Sequence, residues 1–108
     1  MLATSTLVVL ALDGDLDPLR EAYLRAQLAT LAGMPAAVVD LSRVRYLDSM
    51  ALTAFVRLTK EFTARDARVA WVVPPQTNAR GLFRLAELDR YFAVAETLET
   101  ALAALNAG

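Results

Sequence analysis

The sequence predicts an α/β fold with a mainly parallel (mixed) central sheet of about four to five strands and about four helices. Three observations carry that reading. Short apolar runs recur at 6–12, 36–41, 67–73 and 91–95, and the first two show no alternation, as in strands covered on both faces. Segments with apolar side chains at helical spacing lie between them. Turn and stop residues, among them Gly14, Gly33, Pro35 and Pro74-Pro75, fall at the junctions. Strands alternating with helices imply parallel pairing through helical crossovers. A length of 108 residues fits one domain spanning the chain.

Thr6 to Leu12 reads as the first buried strand. Asp13-Gly14-Asp15-Leu16-Asp17-Pro18 then turns into a helix, with Asp17 as cap and Pro18 at the first helical position. Asp13, Asp15 and Asp17 alternate as in a calcium loop. Pro18 stands where that loop needs glycine and Leu24 where it needs a bidentate glutamate, so a calcium loop is rejected. Leu19 to Leu31 forms the first helix, with Leu24, Leu28 and Leu31 on one face. Gly33 ends it and Pro35 keeps it from resuming.

Ala36 to Leu41 is the second strand, followed by a short polar and basic loop. Ser49 to Thr63 is the second helix, with Leu52, Phe55, Leu58 and Phe62 on one face. Ala67 to Val73 is the third strand, stopped by Pro74-Pro75, and Trp71 within it is expected in the core. Gln76 to Leu88 is the third helix. Gly81 inside it costs about 1 kcal/mol relative to alanine, so an irregular or late-starting helix is expected. Tyr91 to Ala95 is a short strand. Thr97 to Leu105 closes the chain as a helix capped by Thr97, with Leu98, Ala101, Leu102 and Leu105 turned inward.

Composition excludes several classes of function. There is no cysteine, hence no disulfide and no thiolate metal site. There is no histidine, which removes the commonest general base and transition-metal ligand. A net charge of −1 with scattered arginines gives no electrostatic case for nucleic acid. No run reaches the length of a membrane span, and the start lacks the charged region of a signal peptide. A soluble cytoplasmic domain without membrane insertion is expected.

The stretch Val38-Val39-Asp40-Leu41-Ser42 … Tyr46-Leu47-Asp48-Ser49 concentrates the functional signal. A buried strand delivers Ser49 to the first turn of a helix, where backbone N–H groups lack intrahelical partners and the dipole favours an anion. Asp48 and Ser49 are also favoured N-caps, and capping alone accounts for their placement. Functional groups in such folds gather at the carboxyl ends of the strands. Here those are Asp13 to Asp17, Ser42 to Ser49, Pro74 to Thr77 and Glu96-Thr97.

These residues resemble the core motif of the STAS family, the sulfate-transporter and anti-sigma-factor-antagonist domains. There an apolar strand ends in Asp-Leu-Ser, and a short loop leads to Asp-Ser-(Ser or Thr)-Gly-Leu at a helix start. Gly14-Asp15-Leu16-Asp17 looks like the family's Gly-Glu-Leu-Asp element, and Val69 through Ala104 is similar to its last strand–helix–strand–helix unit. The resemblance implies that Ser49 is the phosphorylated serine and Asp48 its neighbour. Met50-Ala51 stand where the family has Ser/Thr-Gly. Only Met1 to Asp13 precede the Gly-Asp-Leu-Asp element, where the family fits two strands, so the first is expected to be a stub or absent. A missing first strand would open a sheet edge, and a monomer or weak homodimer is expected.

The function the resemblance implies is that of an anti-sigma-factor antagonist. Unphosphorylated, it would bind an anti-sigma factor that is also a serine kinase; phosphorylation of Ser49 would break the complex and a phosphatase would restore it. Asp15, Asp17, Asp48, Ser49 and Met50 are the expected partner-binding residues. The alternative is a STAS-like structural subunit of a transport complex or signalling scaffold, used without phosphorylation. An enzyme is not expected. Ser49 lacks a base other than a carboxylate or the distant Lys60. Asp15, Asp17, Asp40 and Asp48 suit caps and turns better than an aspartate-rich metal site. Gly14, Gly33 and Gly81 are too scattered for a phosphate loop. No cofactor is expected, ATP belonging to the partner kinase.

Overall fold

The computed structural model describes residues 7–106. The elements run β1 (Leu7–Leu16), a 3-10 turn (Pro18–Arg20), α1 (Glu21–Ala29), β2 (Ala36–Leu47), α2 (Ser49–Ala64), β3 (Arg68–Val72), α3 (Asn78–Leu85), a second 3-10 turn (Leu88–Arg90), β4 (Ala93–Ala95) and α4 (Leu98–Asn106). The strands form one sheet in the order β1-β2-β3-β4, and every pairing among the described residues is parallel. Thr6 and the expected first-strand stub lie outside the described residues.

Chain direction explains the layers. The strand order advances one way across the sheet, and right-handed crossovers then place every connecting helix on the same face. Leu24 of α1, Phe55 of α2 and Phe83 of α3 accordingly share one buried cluster with Ala37, Val39, Leu41 and Trp71 of the sheet and Val73 just past β3. The opposite face is left to α4, which follows the last strand. Its Ala101 closes over Val38, Ala70, Val72 and Ala95.

Trp71 is the centre of the larger cluster. Its ring lies 4.7 Å from Phe55, 5.1 Å from Phe92 and 6.2 Å from Phe83, centroid to centroid. Phe83 and Phe92 meet edge to face at 5.4 Å. Such offset and edge contacts add to area burial.

The structure departs from the sequence reading in defined places. The polar and basic stretch 42–47 is not a loop but the second half of β2, and residues 13–16 continue β1 beside it. The register slips twice, between Ala11 and Asp13 and between Gly14 and Asp15, each time placing one extra residue on β2. Those bulges leave Leu41, Val44 and Leu47 buried with two exposed residues between each. A spacing of three fits neither strand nor helix, because each bulge interrupts the alternation of period two.

The first helix is shorter than its pattern. Pro18–Arg20 form a 3-10 turn, Leu19 is almost wholly exposed, and Leu31 is buried only after α1 has ended. In α2 the buried face is Ala51, Phe55, Leu58 and Phe62, with Leu52 half-buried. The third helix starts late, at Asn78, behind a Thr77 cap. Thr97 Oγ1 accepts from Thr100 N at 3.1 Å and caps α4, whereas Leu98 is turned outward.

Phe55 is fully buried against Trp71. Phe55→Ala is expected to cost about 3–5 kcal/mol, a large share of the roughly 5–15 kcal/mol that holds a domain together. Urea unfolding followed by tryptophan fluorescence measures it, and a loss below about 1 kcal/mol would contradict this packing.

Candidate functional site

β1 and β2 stay paired as far as Leu16 and Leu47, whereas β2 and β3 part after Asp40 and Val72. The two strands therefore run on as a ribbon beyond the sheet. The ribbon is fastened along its length. Arg45 meets Asp15 at 3.4 Å, and Arg20 meets Asp13 at 3.3 Å. Arg20 Nη1 also donates to the Asp13 carbonyl at 2.6 Å and the Asp15 carbonyl at 3.4 Å, with its guanidinium over the Tyr23 ring. Gly14 sits between those carbonyls at φ +75°, and a Cβ there would come within 2.5 Å of Arg20 Nη1. Glycine meets both constraints.

Ser49 opens α2 at the end of this ribbon. Asp48 has extended backbone, and its Oδ1 accepts from Met50 N at 3.0 Å and Ala51 N at 3.2 Å. Asp48 N donates to the Leu16 carbonyl, tying the cap to β1. Leu47 N donates to Asn78 Oδ1 at 2.8 Å, tying it to the start of α3. Ser49 is exposed, and its hydroxyl has no protein hydrogen-bond partner among the described residues.

The Asp48 cap bears on the expectation that this helix start favours an anion. Asp48 already occupies two of the first-turn donors, so a phosphate on Ser49 would find those N–H groups taken and a carboxylate beside it. A charge of about −1.5 to −2 placed there projects into solvent and changes the surface rather than the core.

The other expected contact residues separate by role. Asp15 is in the ribbon with Arg45. Asp17 Oδ1 accepts from Leu19 N at 3.0 Å and caps the 3-10 turn. Asp40 accepts from Ser42 N and Ser42 Oγ. Each aspartate is thus engaged locally, and no group of three or more acidic or other metal-ligating side chains converges among the described residues. Met50 is half-buried and packs on the core at the mouth of an open groove between α1 and α2, of about 960 Å³, floored by Leu24, Leu28, Ala54 and Leu58. It stands at the margin of the core, with part of its side chain open to solvent. Of the expected carboxyl-end stretches, Glu96-Thr97 leads into α4 on the far face.

Sequence reasoning missed Asn78, whose place reads only as the start of a helix. It also missed the exposure of Leu19 and Tyr46 at this end of the molecule, 94% and 48%. A leucine after Asp17-Pro18 looks like the first apolar helix position, and only the 3-10 turn lifts it outward.

The STAS domain model matches residues 1–101. The chain belongs to the STAS domain family. Among solved structures, an anti-sigma factor antagonist from Mycobacterium paratuberculosis superposes with a TM-score of 0.82 at 25% identity, covering 92% of this chain and 86% of that one. The unphosphorylated anti-sigma factor antagonist SpoIIAA aligns over 100% of this chain and 96% of its own, at 19% identity and a TM-score of 0.69. A sulfate transporter family protein from Wolinella succinogenes aligns over 90% of this chain and 82% of its own, at 14% identity and 0.71. No curated protein sequence is significantly similar to the chain. Among the described residues of this STAS domain, no helix is long and apolar enough to cross a membrane.

Two substitutions test the support beneath Ser49. Asp48→Ala removes the α2 cap and is expected to cost about 1 kcal/mol, most of it retained by Asp48→Asn. Asn78→Ala leaves the Leu47 N–H without its side-chain acceptor and is expected to cost about 1–3 kcal/mol. Urea denaturation gives both values. Hydrogen exchange should show faster exchange at Leu47 in Asn78→Ala, and unchanged exchange there would contradict the bridge.

Proposed function

We propose that this STAS domain is an anti-sigma-factor antagonist, a protein-binding module that engages a cytoplasmic anti-sigma factor through the Ser49 surface. The carrying observation is the exposed, unpartnered Ser49 hydroxyl at the start of α2, on a capped and braced rim. The likeness to the antagonist from Mycobacterium paratuberculosis supports the same reading. In this proposal the anti-sigma factor is also the serine kinase, and the domain contributes no catalysis. Ser49 needs only to be reachable; the base, ATP and metal belong to the kinase.

Physical chemistry then gives the direction of the switch. The unphosphorylated rim offers Ser49, Met50 and exposed apolar side chains beside carboxylates that are already capped or paired. A partner packed on that rim loses affinity when a dianion appears with no cation arranged to meet it. The fold survives, because Ser49 is outside the core. Dephosphorylation by a phosphatase restores binding. Asp15, Asp17, Asp48, Ser49 and Met50 are the proposed contact residues.

A second reading has its own support. Met50-Ala51 replace the family's Ser/Thr-Gly after the serine, and the Wolinella sulfate transporter family protein shares the fold. On that reading the same rim docks permanently in a transport complex or scaffold.

Binding of Ser49→Ala and Ser49→Asp variants to a purified anti-sigma factor of the same host separates the two. Ser49→Ala should bind as the parent does, and Ser49→Asp at least about tenfold more weakly. Equal affinities for the two variants would remove the switch. Intact-mass analysis of the protein from its host, with and without stress, should show a phosphate on Ser49 that varies with condition.

A further inference from the structure

Leu19 is 94% exposed, more than any other large apolar side chain among the described residues. A lone exposed leucine is ordinary on a protein surface, so rigidity and place decide whether it acts. The backbone of this one is held from both sides. Asp17 Oδ1 accepts from Leu19 N at 3.0 Å, the Asp17 carbonyl accepts from Arg20 N at 2.9 Å, and Pro18 has its φ fixed by its ring. Arg20, the next residue, donates to the carbonyls of Asp13 and Asp15. A leucine presented this way has only its side-chain rotamers left to order when something packs on it.

The turn stands beside Ser49. β1 and β2 end side by side, with Leu16 paired to Leu47 and the Leu16 carbonyl accepting from Asp48 N. Leu19 is three residues past Leu16 and Ser49 one past Asp48, so the two lie within about 20 Å of each other. A standard interface covers about 800 Å² per partner, roughly 30 Å across, and takes in both. The helices that follow keep them together. Glu21, two residues after Leu19, and Met50, next to Ser49, line the same end of the groove between α1 and α2. The described chain enters at Leu7, about 30 Å along β1 from Leu16. It leaves at Asn106, where the Leu105 carbonyl accepts from Arg68 at the start of β3. This rim is thus at the opposite end from both.

We propose that Leu19 is the anchor of the docking surface around Ser49, seated in an apolar pocket of the anti-sigma factor. The assignment rests on the function proposed above and adds to it a residue outside the serine motif. Leu19 supplies affinity through apolar burial, and Ser49 carries the charge that removes it. A leucine that starts almost fully exposed gains most of what burial of such a side chain can give, and its fixed backbone loses little to ordering.

Surface plasmon resonance of the full chain against a purified anti-sigma factor of the same host tests the assignment. Leu19→Ala should raise the dissociation constant at least about tenfold, chiefly through faster dissociation. Leu19→Met, which keeps the apolar volume, should stay within about threefold of the parent. Leu85→Ala truncates an 82% exposed leucine at the last residue of α3 and should leave binding unchanged. Leu19→Ala should unfold at the parent's urea midpoint, because the side chain is exposed in the free protein. Parent-like affinity of Leu19→Ala, with Ser49→Asp still weak, would overturn the anchor and leave the switch standing. Equal losses in Leu19→Ala and Leu85→Ala, or a lowered midpoint, would overturn it as well. If the parent chain does not bind, the antagonist reading falls and the anchor with it.

Discussion

β2 pairs with β1 as far as Leu47 but with β3 only to Asp40, and the candidate site stands on the overrun. Within the sheet β2 is buried on both faces, as a central parallel strand requires, whereas β1 buries only the face toward the three helices. Past the sheet the pair becomes a two-stranded ribbon with one buried side chain in three. A ribbon of that kind has little core of its own. The bulges let Leu41, Val44 and Leu47 stay buried while the intervening residues reach solvent, and Arg20 and Arg45 brace the exposed side. If the ladder stopped at Asp40, Ser49 would hang from a free loop.

The stability of the domain and the behaviour of its rim are therefore largely separate. The aromatic cluster around Trp71 belongs to the helical face and does not touch the function proposed for Ser49. Exposed ion pairs such as Asp15–Arg45 add roughly 0–1 kcal/mol each. Asp48 joins the two regions: its carboxylate caps the helix start through Met50 N and Ala51 N and sets a negative charge beside Ser49. A switch built here acts through what a partner meets at the surface.

The same one-way advance of strands that gathers three helices on one face leaves α4 alone to cover the other. That one helix, of nine residues, lies mainly over β2, β3 and β4. The exposure of Leu7 and Val9 on β1 follows from that shortage of cover rather than from a local peculiarity of the strand. Its neighbours across the ladder, Ala36 and Val38, are half-buried and buried.

Sequence alone determined the class of fold, the order of the elements, the caps at Asp17 and Thr97, and the position of Ser49 at a helix start, with the α2 cap left between Asp48 and Ser49. Those are local matters of apolar period, cap chemistry and Pro or Gly stops, each written within a few residues. It did not determine that 42–47 is strand, because two bulges replaced the period by which strands are read. It did not reveal Asn78, since a bridge between residues 31 apart leaves no local pattern. Nor did it show that Asp48 takes two of the donors beside Ser49, or that Val9 is left uncovered. These depend on which side chains and helices come together across the sheet, and only tertiary packing fixes that.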